Sequence, residues 1–296
     1  MISLIICSRT GSITAALGDT IETTIGVPYE TIVIDNTDNR YNIFQAYNIG
    51  VSKSSYSILC FMHDDIEYHT NNWGEKVLRH FEDAQTGAIG IAGSPYVPAM
   101  PGSWWGGGLV NQHLLVSEQG KLIAADKSAN TSQENKQPVI TLDGVWICFR
   151  KELFNKISFD EATYKGFHFY DVDTALQVYT AGYHLYCIGD IDIYHQSSGR
   201  LDNTWCENAL QFNHKWKQHV PLSCIKLGYT ERINAELRTL NEFIGVLVAN
   251  GMPSKTVYRL AMGRVLKLPS AWFYYKSPAF FAIYLVRYFN PSPKAA

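Results

Sequence analysis

Short apolar segments alternate with helix-like segments along the first 92 residues of the chain. The strand-like segments are residues 2–7, 30–34, 56–62 and 88–92. Residues 41–53 carry apolar side chains at helical spacing, and residues 73–84 are also predicted to be helical. This β-α-β alternation predicts an α/β fold in which a mostly parallel sheet is flanked by helices.

Polar side chains follow three of these strands where the apolar run ends. They are Ser8 and Arg9, then Asp35 and Asn36, then His63, Asp64 and Asp65. Ligands of parallel sheets bind beyond the carboxyl ends of the strands, so we expect these side chains to share one binding site. Adjacent carboxylates repel each other unless a positive group lies nearby, so Asp64 and Asp65 indicate either a divalent-metal site or a solvated turn.

The middle of the chain has a different composition. Residues 101–108 combine Trp104 and Trp105 with the glycines typical of a mobile segment. Residues 112–125 are predicted to form a hairpin. The polar residues 126–138 that follow are predicted to be a loose connection.

Three further elements are predicted after this connection. They are a strand at 139–150 that contains Asp143 and Gly144, a helix from about Asp171 to Gly182, and a strand at 183–194 that leads to His195. Asp171 is interpreted either as an ordinary charge at a helix start or as a general base held against aromatic side chains. His195 is either a structural histidine or a metal ligand. From about residue 203 onward the pattern is helical.

The composition argues against several classes of protein. The net charge of −2 argues against a nucleic-acid binder, and no apolar run approaches the roughly 20 residues that span a bilayer. Residues 1–6 lack the basic start and small-residue cleavage site of a signal peptide. The six cysteines form no CxxC pair, so we expect reduced thiols in a cytoplasmic protein rather than a zinc site.

Residues 243–296 form a basic and aromatic extension with seven Lys or Arg and no Asp or Glu. Two interpretations of this extension are open. It is either a peripheral contact with an anionic membrane, or a helical subdomain that packs on the rest of the chain or on a second subunit. The sequence leaves the oligomeric state open.

The order of the motifs resembles the family 2 glycosyltransferases of the GT-A fold, in a bacterial glycosyltransferase-like branch. The resemblance covers residues 1–220, interpreted as a nucleotide-sugar-binding and catalytic domain, and leaves residues 221–296 as a helical C-terminal extension. The DXD metal motif of the family corresponds to residues 63–65, with His in the first acidic position. Its acidic element before a helix that ends in Ala-Gly-Tyr corresponds to residues 170–173, with Tyr in place of Glu.

The resemblance implies a role for most of the candidate side chains. The nucleotide-binding set is Ser8, Arg9, Asp35, Asn36, Asn48, His63 and Asp64. The acceptor and sugar set is Asp143, Gly144 and Tyr170, joined by Trp104 and Trp105, which either stack on a sugar or pack in the core. Asp65 and His195 are implied to hold Mn²⁺ or Mg²⁺, and Asp171 is implied to be the catalytic base.

The implied reaction is metal-dependent transfer of a sugar, with inversion, from a UDP-sugar donor to a hydroxyl group. The implied acceptor is a saccharide or lipid-linked saccharide in bacterial surface polysaccharide synthesis, in the cytoplasm or at the inner face of the cell membrane. One alternative, favoured by the non-acidic His63 and Tyr170, is a domain that binds a nucleotide sugar without transferring it. Another is a nucleotidyltransferase, but that chemistry needs a glycine-rich triphosphate loop and residues 8–12 contain only Gly11.

Overall fold

The computed structural model describes residues 1–118, 121–126, 135–196 and 199–265. Its strands are β1 (Ile2–Ser8), β2 (Tyr29–Asp35), β3 (Ile58–Met62), β4 (Ile66–Tyr68), β5 (Thr86–Gly90), β6 (Ala92–Ser94), β7 (Tyr96–Val97), β8 (Asn111–Gln112), β9 (Leu115–Glu118), β10 (Lys121–Ala124), β11 (Lys136–Val139), β12 (Thr141–Leu142), β13 (Trp146–Arg150), β14 (His184–Ile188), β15 (Ile193–His195) and β16 (Leu222–Ser223). Its helices are α1 (Ala15–Thr24), α2 (Ile43–Lys53), α3 (Trp73–His80), a 3-10 helix at Lys151–Asn155, α4 (Tyr170–Thr180), α5 (Asn203–Lys215), α6 (Tyr229–Ala249) and α7 (Ser254–Val265).

The large sheet has seven strands in the order β11-β14-β5-β13-β3-β1-β2. Strand β1 runs parallel to β2 and β3, and β14 runs parallel to β5. Strand β13 lies between β3 and β5 and is antiparallel to both, so five of the seven strands point in one direction. The predicted α/β fold with a mostly parallel sheet is confirmed. This topology brings the carboxyl ends of β1, β2 and β3 to the same edge of the sheet as the beginning of β13.

Alternate side chains of the central strands enter two different cores, which is why these segments are apolar throughout. Leu4 and Ile6 of β1 pack with helices α1 and α3 on one face of the sheet. Ile5 packs with helices α2 and α4 on the other face. Burial of each such side chain stabilises the fold by about 1.5–3 kcal/mol. Because helices cover both faces, a ligand meets the strands at the carboxyl edge of the sheet.

Two segments predicted as single strands are each divided in the structure. Residues 139–150 form β12 and β13, separated by a turn in which the Asp143 carboxylate accepts a hydrogen bond from the Val145 backbone N–H at 2.9 Å. Residues 183–194 form β14 and β15, because the chain leaves the large sheet after β14 and β15 joins a smaller sheet with β4 and β9. Both interruptions lie at the edge that carries the predicted site.

Two further differences from the sequence analysis have local causes. Helix α1 was not predicted, because its threonine-rich sequence has a weak apolar pattern; Thr14 caps it by accepting the Leu17 backbone N–H at 3.2 Å. The region 126–138 was predicted to be loose, but its described end forms β11, an edge strand paired with β14. Pro138 is compatible with that position because an edge strand can lack one backbone donor. The predicted hairpin is confirmed by the antiparallel pairing of β9 and β10.

The basic and aromatic extension is described only at its beginning. Residues 266–296, which contain most of its aromatic side chains, lie outside the described residues. Phe243, Ile244 and Leu247 of helix α6 belong to the main core, so this part of the extension packs on the rest of the chain. In the part of the chain that the structure describes, no helix is both long and apolar enough to cross a bilayer.

A buried ionic network joins helices α4 and α5. Asp173 is fully buried and accepts hydrogen bonds from Tyr164 Oη (2.9 Å), Gln177 Nε2 (2.8 Å) and Trp216 Nε1 (2.7 Å). Lys215 Nζ supplies the opposite charge at 2.8 Å. A carboxylate with a charged partner and three further donors is a stable arrangement inside a protein, whereas loss of one member leaves the others unpaired.

Asp173→Ala should therefore lower the free energy of unfolding by about 3–5 kcal/mol, because it leaves the buried donors of Tyr164 and Trp216 without their acceptor and the half-buried Lys215 with one carboxylate fewer. The measurement is urea denaturation followed by tryptophan fluorescence. The matched control is Asp38→Ala, which removes an exposed ion pair with Arg40 and should change stability by less than about 1 kcal/mol. Equal losses in the two variants would contradict a structural role for Asp173.

Candidate active site

A cleft of about 830 Å³ lies at the carboxyl edge of the large sheet. The predicted side chains that line it are Arg9, His63, Asp64, Asp65, Trp104, Trp105, Asp143, Gly144, Tyr170, Asp171 and His195. They come from the ends of β1, β3 and β15, the turn before β13, the start of α4 and the segment 101–108. Residues predicted for metal binding, proton transfer and acceptor binding therefore face one space.

His63, Asp65 and His195 form a compact cluster in this cleft. Antiparallel pairing of β15 with β4 places His195 opposite Ile66 and therefore beside Asp65. His195 Nε2 lies 3.3 Å from Asp65 Oδ1 and 3.4 Å from His63 Nδ1, and the last two atoms are 3.8 Å apart. One ligand atom of each side chain lies within 4.8 Å of the other two, so the three side chains can hold one metal ion.

His63 takes a different position from the one expected for it. The sequence analysis assigned it to the nucleotide, whereas the structure places its Nδ1 with Asp65 and His195. Burial lowers the pKa of His63, and the nearby Asp143 opposes that effect. A lowered pKa favours the neutral imidazole, which is the form that binds metals.

Tyr170 contacts this cluster through His63. Its hydroxyl lies 3.1 Å from His63 Nε2, and its ring packs edge-on against Tyr47 with ring centres 5.3 Å apart. The residue beside it is Gly144, where an added Cβ would collide with the Tyr170 hydroxyl and ring. Glycine at position 144 therefore allows the turn before β13 to approach Tyr170 closely.

Asp171 is held by two backbone donors at the start of α4. Its Oδ2 accepts the Gly144 N–H at 2.9 Å and its Oδ1 accepts the Val172 N–H at 2.8 Å. Burial, reinforced by the negative charge of Asp143, raises the pKa of Asp171 to about 7. A carboxyl group that exchanges its proton near neutral pH is suited to general acid–base chemistry.

Asp143 links the base to the aromatic side of the cleft. Its Oδ2 accepts a hydrogen bond from Trp104 Nε1 at 3.0 Å, while its Oδ1 is occupied by the Val145 N–H. Trp104 packs edge-on against Trp105, with ring centres 5.2 Å apart, and Trp105 is 39% exposed. The predicted acceptor residues are thus joined to the turn that holds Asp171.

The cleft also contains residues that the sequence analysis did not select. Phe167 is 41% exposed, and its ring centre lies 5.5 Å from that of His63. Arg200 lines the cleft and is exposed, and among the described residues it makes no ion pair. The aromatic side chains among residues 167–170 were a signal that could have indicated Phe167. Nothing in the pattern around Arg200 distinguished it from a surface residue.

Four predicted nucleotide-binding residues lie outside the cleft lining. Ser8 is buried and donates to the Ser12 carbonyl at 2.8 Å. Asp35 is exposed beside the same turn, with its pKa lowered mainly by a hydrogen bond from the Thr37 backbone. The other two, Asn36 and Asn48, use their amides to bind the backbones of Tyr41 and Phe159 respectively. These side chains shape loops near the cleft, and the structure does not bring them together with the cluster.

Comparison with known proteins places this geometry in context. The chain is 26% identical over 185 residues to the streptomycin biosynthesis protein StrF of Streptomyces griseus, a match that covers 60% of this chain and 62% of StrF. The match therefore spans less than two thirds of that relative. The structure is similar to that of TarS residues 1–349 from S. aureus, with 12% identity, a TM-score of 0.51, and coverage of 90% of this chain and 81% of that fragment.

A second similar structure is the mannosyltransferase PcManGT from Pyrobaculum calidifontis in complex with GDP-Man and Mn²⁺, with 12% identity and a TM-score of 0.47 over 98% of this chain and 87% of PcManGT. Residues 4–220 match the family described as "Glycosyltransferase like family". That match covers most of the chain and includes every residue that lines the cleft. The chain belongs to the glycosyltransferase-like family and has the GT-A fold.

Proposed function

We propose that the enzyme transfers a sugar from a UDP-sugar to an acceptor hydroxyl with inversion at the anomeric carbon. The observation that supports this most directly is that Asp171 and the His63–Asp65–His195 cluster face the same cleft from different elements of the fold. Inversion needs a base on the opposite side of the reacting carbon from the leaving group. A separate base and cation-binding cluster in one cleft meet that need.

The cluster fits a divalent cation by the chemistry of its donors. Two imidazole nitrogens and one carboxylate oxygen lie within 4.8 Å of one another, and burial favours the neutral form of His63. Imidazole donors suit transition metals better than Mg²⁺, which prefers an all-oxygen shell with several waters. We therefore assign Mn²⁺ as the preferred ion over Mg²⁺. When bound, such an ion neutralises the charge that develops on the departing diphosphate.

Asp171 is assigned as the base that takes the proton of the acceptor hydroxyl. The Gly144 and Val172 N–H groups orient its carboxylate, and its raised pKa makes it a stronger base than an exposed aspartate. Arg9 and Asp64, at the ends of β1 and β3, line the cleft, and we assign them to the donor nucleotide.

The acceptor is assigned to the aromatic side of the cleft. Trp105 and Phe167 are large exposed rings, which suit the apolar face of a sugar, and they favour a saccharide or lipid-linked saccharide acceptor. A role in surface polysaccharide synthesis, and a membrane contact by the extension at 243–296, are part of this proposal. The alternative of a domain that only binds a nucleotide sugar gives no role to the Asp171 carboxyl group, which lines the cleft and has a raised pKa.

The proposal is tested by incubating the enzyme and Mn²⁺ with UDP-hexoses and UDP-N-acetylhexosamines, each paired with a panel of methyl pyranosides. We expect at least one pair to release UDP and yield a disaccharide with inverted anomeric configuration. If ligand binding raises the melting temperature but no donor is turned over, the non-catalytic alternative is correct.

Asp171→Asn should reduce kcat by at least about 100-fold, because general base catalysis contributes about 10²–10⁴-fold. Its Kd for UDP should stay within severalfold of the wild-type value, since Asp171 is not a member of the cation-binding cluster. Initial rates and calorimetric titration give these values. Turnover at the wild-type rate would remove Asp171 from the mechanism.

A control for folding follows from the same carboxyl group. The raised pKa means that ionisation of Asp171 costs the folded state stability that grows from about pH 4, where the unfolded aspartate ionises, to about pH 7 and is constant above it. The melting temperature of the wild type should therefore fall relative to that of Asp171→Asn between about pH 4 and about pH 7. The exposed variant Asp38→Asn serves as the matched control for both measurements and should resemble the wild type.

The pH dependence of the wild-type enzyme should follow ionisation of Asp171. The base must be unprotonated to accept a proton, so kcat/KM should rise about tenfold per pH unit below pH 7 and level off above it. An inflection near pH 4, where an unperturbed aspartate titrates, would contradict the assignment.

Mn²⁺ should raise the melting temperature of the wild-type protein, because a ligand that binds only the folded state stabilises it by mass action. Mg²⁺ at the same concentration should give a smaller shift. The Mn²⁺ shift should disappear in His63→Ala and His195→Ala and persist in His69→Ala, a histidine outside the cleft lining that pairs with Glu67. A Mn²⁺ shift that survives in all three variants would place the ion elsewhere.

A further inference from the structure

The glycine-rich segment 101–108, which carries two cleft tryptophans, is fastened to helix α6. The first contacts with α6 are made by residues just before the segment. Glu236 of α6 is 3% exposed and accepts hydrogen bonds from Tyr96 Oη (2.6 Å) and from the backbone N–H groups of Ala99 (2.9 Å) and Met100 (3.0 Å). Three donors on a buried carboxylate fix the chain that enters the segment.

The next turns of α6 contact the segment itself. The buried Ser103 hydroxyl donates a hydrogen bond to Glu242 at 2.5 Å. An added Cβ at Gly102 would collide with Thr239, so glycine is needed there for the backbone to lie against the helix. The glycines that suggested a mobile segment thus have a second function, which is close approach to α6.

The segment 101–108 in turn contacts the residues that hold Asp171 in the cleft. Trp104 follows Ser103 and donates from its Nε1 to Asp143 at 3.0 Å. Asp143 precedes Gly144, whose N–H binds the Asp171 carboxylate. A second contact reinforces this path, since Phe243 of α6 packs against Trp205, which also lines the cleft, with ring centres 6.0 Å apart.

The residues on the cation-binding side of the cleft come from other elements of the fold. His63 and Asp65 follow β3, and His195 ends β15, which pairs with β4. The two histidines bind each other, Asp65 and Tyr170, none of which belongs to α6 or to the segment 101–108. Disturbance of α6 should therefore affect the acceptor side of the cleft more than the donor side.

We propose that helix α6 positions the acceptor side of the cleft, with Glu242 as the positioning residue that holds Trp104 and Trp105 through Ser103. The inference rests on the proposed function, and it gives helix α6 of the C-terminal extension a role in that function. Glu242 acts through other residues and does not touch the substrate.

The experiment compares Glu242→Ala with Glu231→Ala, a carboxylate on the same helix that is exposed and binds the Gly228 backbone N–H. In Glu242→Ala the KM for the methyl pyranoside that the wild type uses best should rise at least tenfold. The Kd for UDP in the presence of Mn²⁺ should stay within twofold. Glu231→Ala should match the wild type in both values. An acceptor KM within twofold of the wild-type value in Glu242→Ala would overturn the proposal.

Hydrogen exchange gives a readout that does not depend on turnover. The amides of Gly106 and Gly108 donate to the carbonyls of Ser103 and Trp105, so both should exchange faster in Glu242→Ala and in Gly102→Ala. Wild-type protection in both variants would overturn the inference. Absence of transfer by the wild type with every acceptor would count against the proposed function, and the exchange result would still decide whether α6 holds the segment.

Discussion

Three hydrogen bonds to the turn at residues 143–145 hold the two sides of the cleft together. The Val145 carbonyl accepts the His63 backbone N–H at 3.0 Å, the Gly144 N–H binds Asp171, and the Asp143 carboxylate binds Trp104. Each bond reaches a different functional part of the site. The turn can do this because β13 is inserted antiparallel between two parallel strands, which brings its start to the edge where those strands end.

Helix α4 carries two aspartates, Asp171 and Asp173, whose carboxylates have different surroundings. Asp173 is surrounded by Lys215 and three neutral donors, so its charge is satisfied and it joins helices. Asp171, two residues earlier, has only backbone donors and a negative neighbour, and its pKa rises to about 7. The physical difference between the two carboxylates is therefore the presence of a cation within hydrogen-bond distance of Asp173, which the spacing of the two residues does not reveal.

The sequence was sufficient to predict the sheet and the edge at which the site lies, because apolar runs and the polar residues after them are local patterns. It was also sufficient to select Asp65, Asp171 and His195 as candidates, which the structure brings into one cleft. The sequence was insufficient to predict that His63 lies in the cluster with Asp65 and His195. That arrangement depends on the pairing of β15 with β4, which are more than 120 residues apart along the chain. Asn48 was assigned to the nucleotide from its place in a motif, whereas in the structure its amide binds the Phe159 backbone.

The two positions at which the sequence departs from the family pattern, His63 and Tyr170, are in contact with each other. A neutral histidine carries one ring proton, and a cation bound by the cluster would need the Nδ1 of His63 to be unprotonated. The Tyr170 oxygen, 3.1 Å from Nε2, would then accept the Nε2–H. In that state the phenol would orient a nitrogen ligand at a position where the resembled family has an acid.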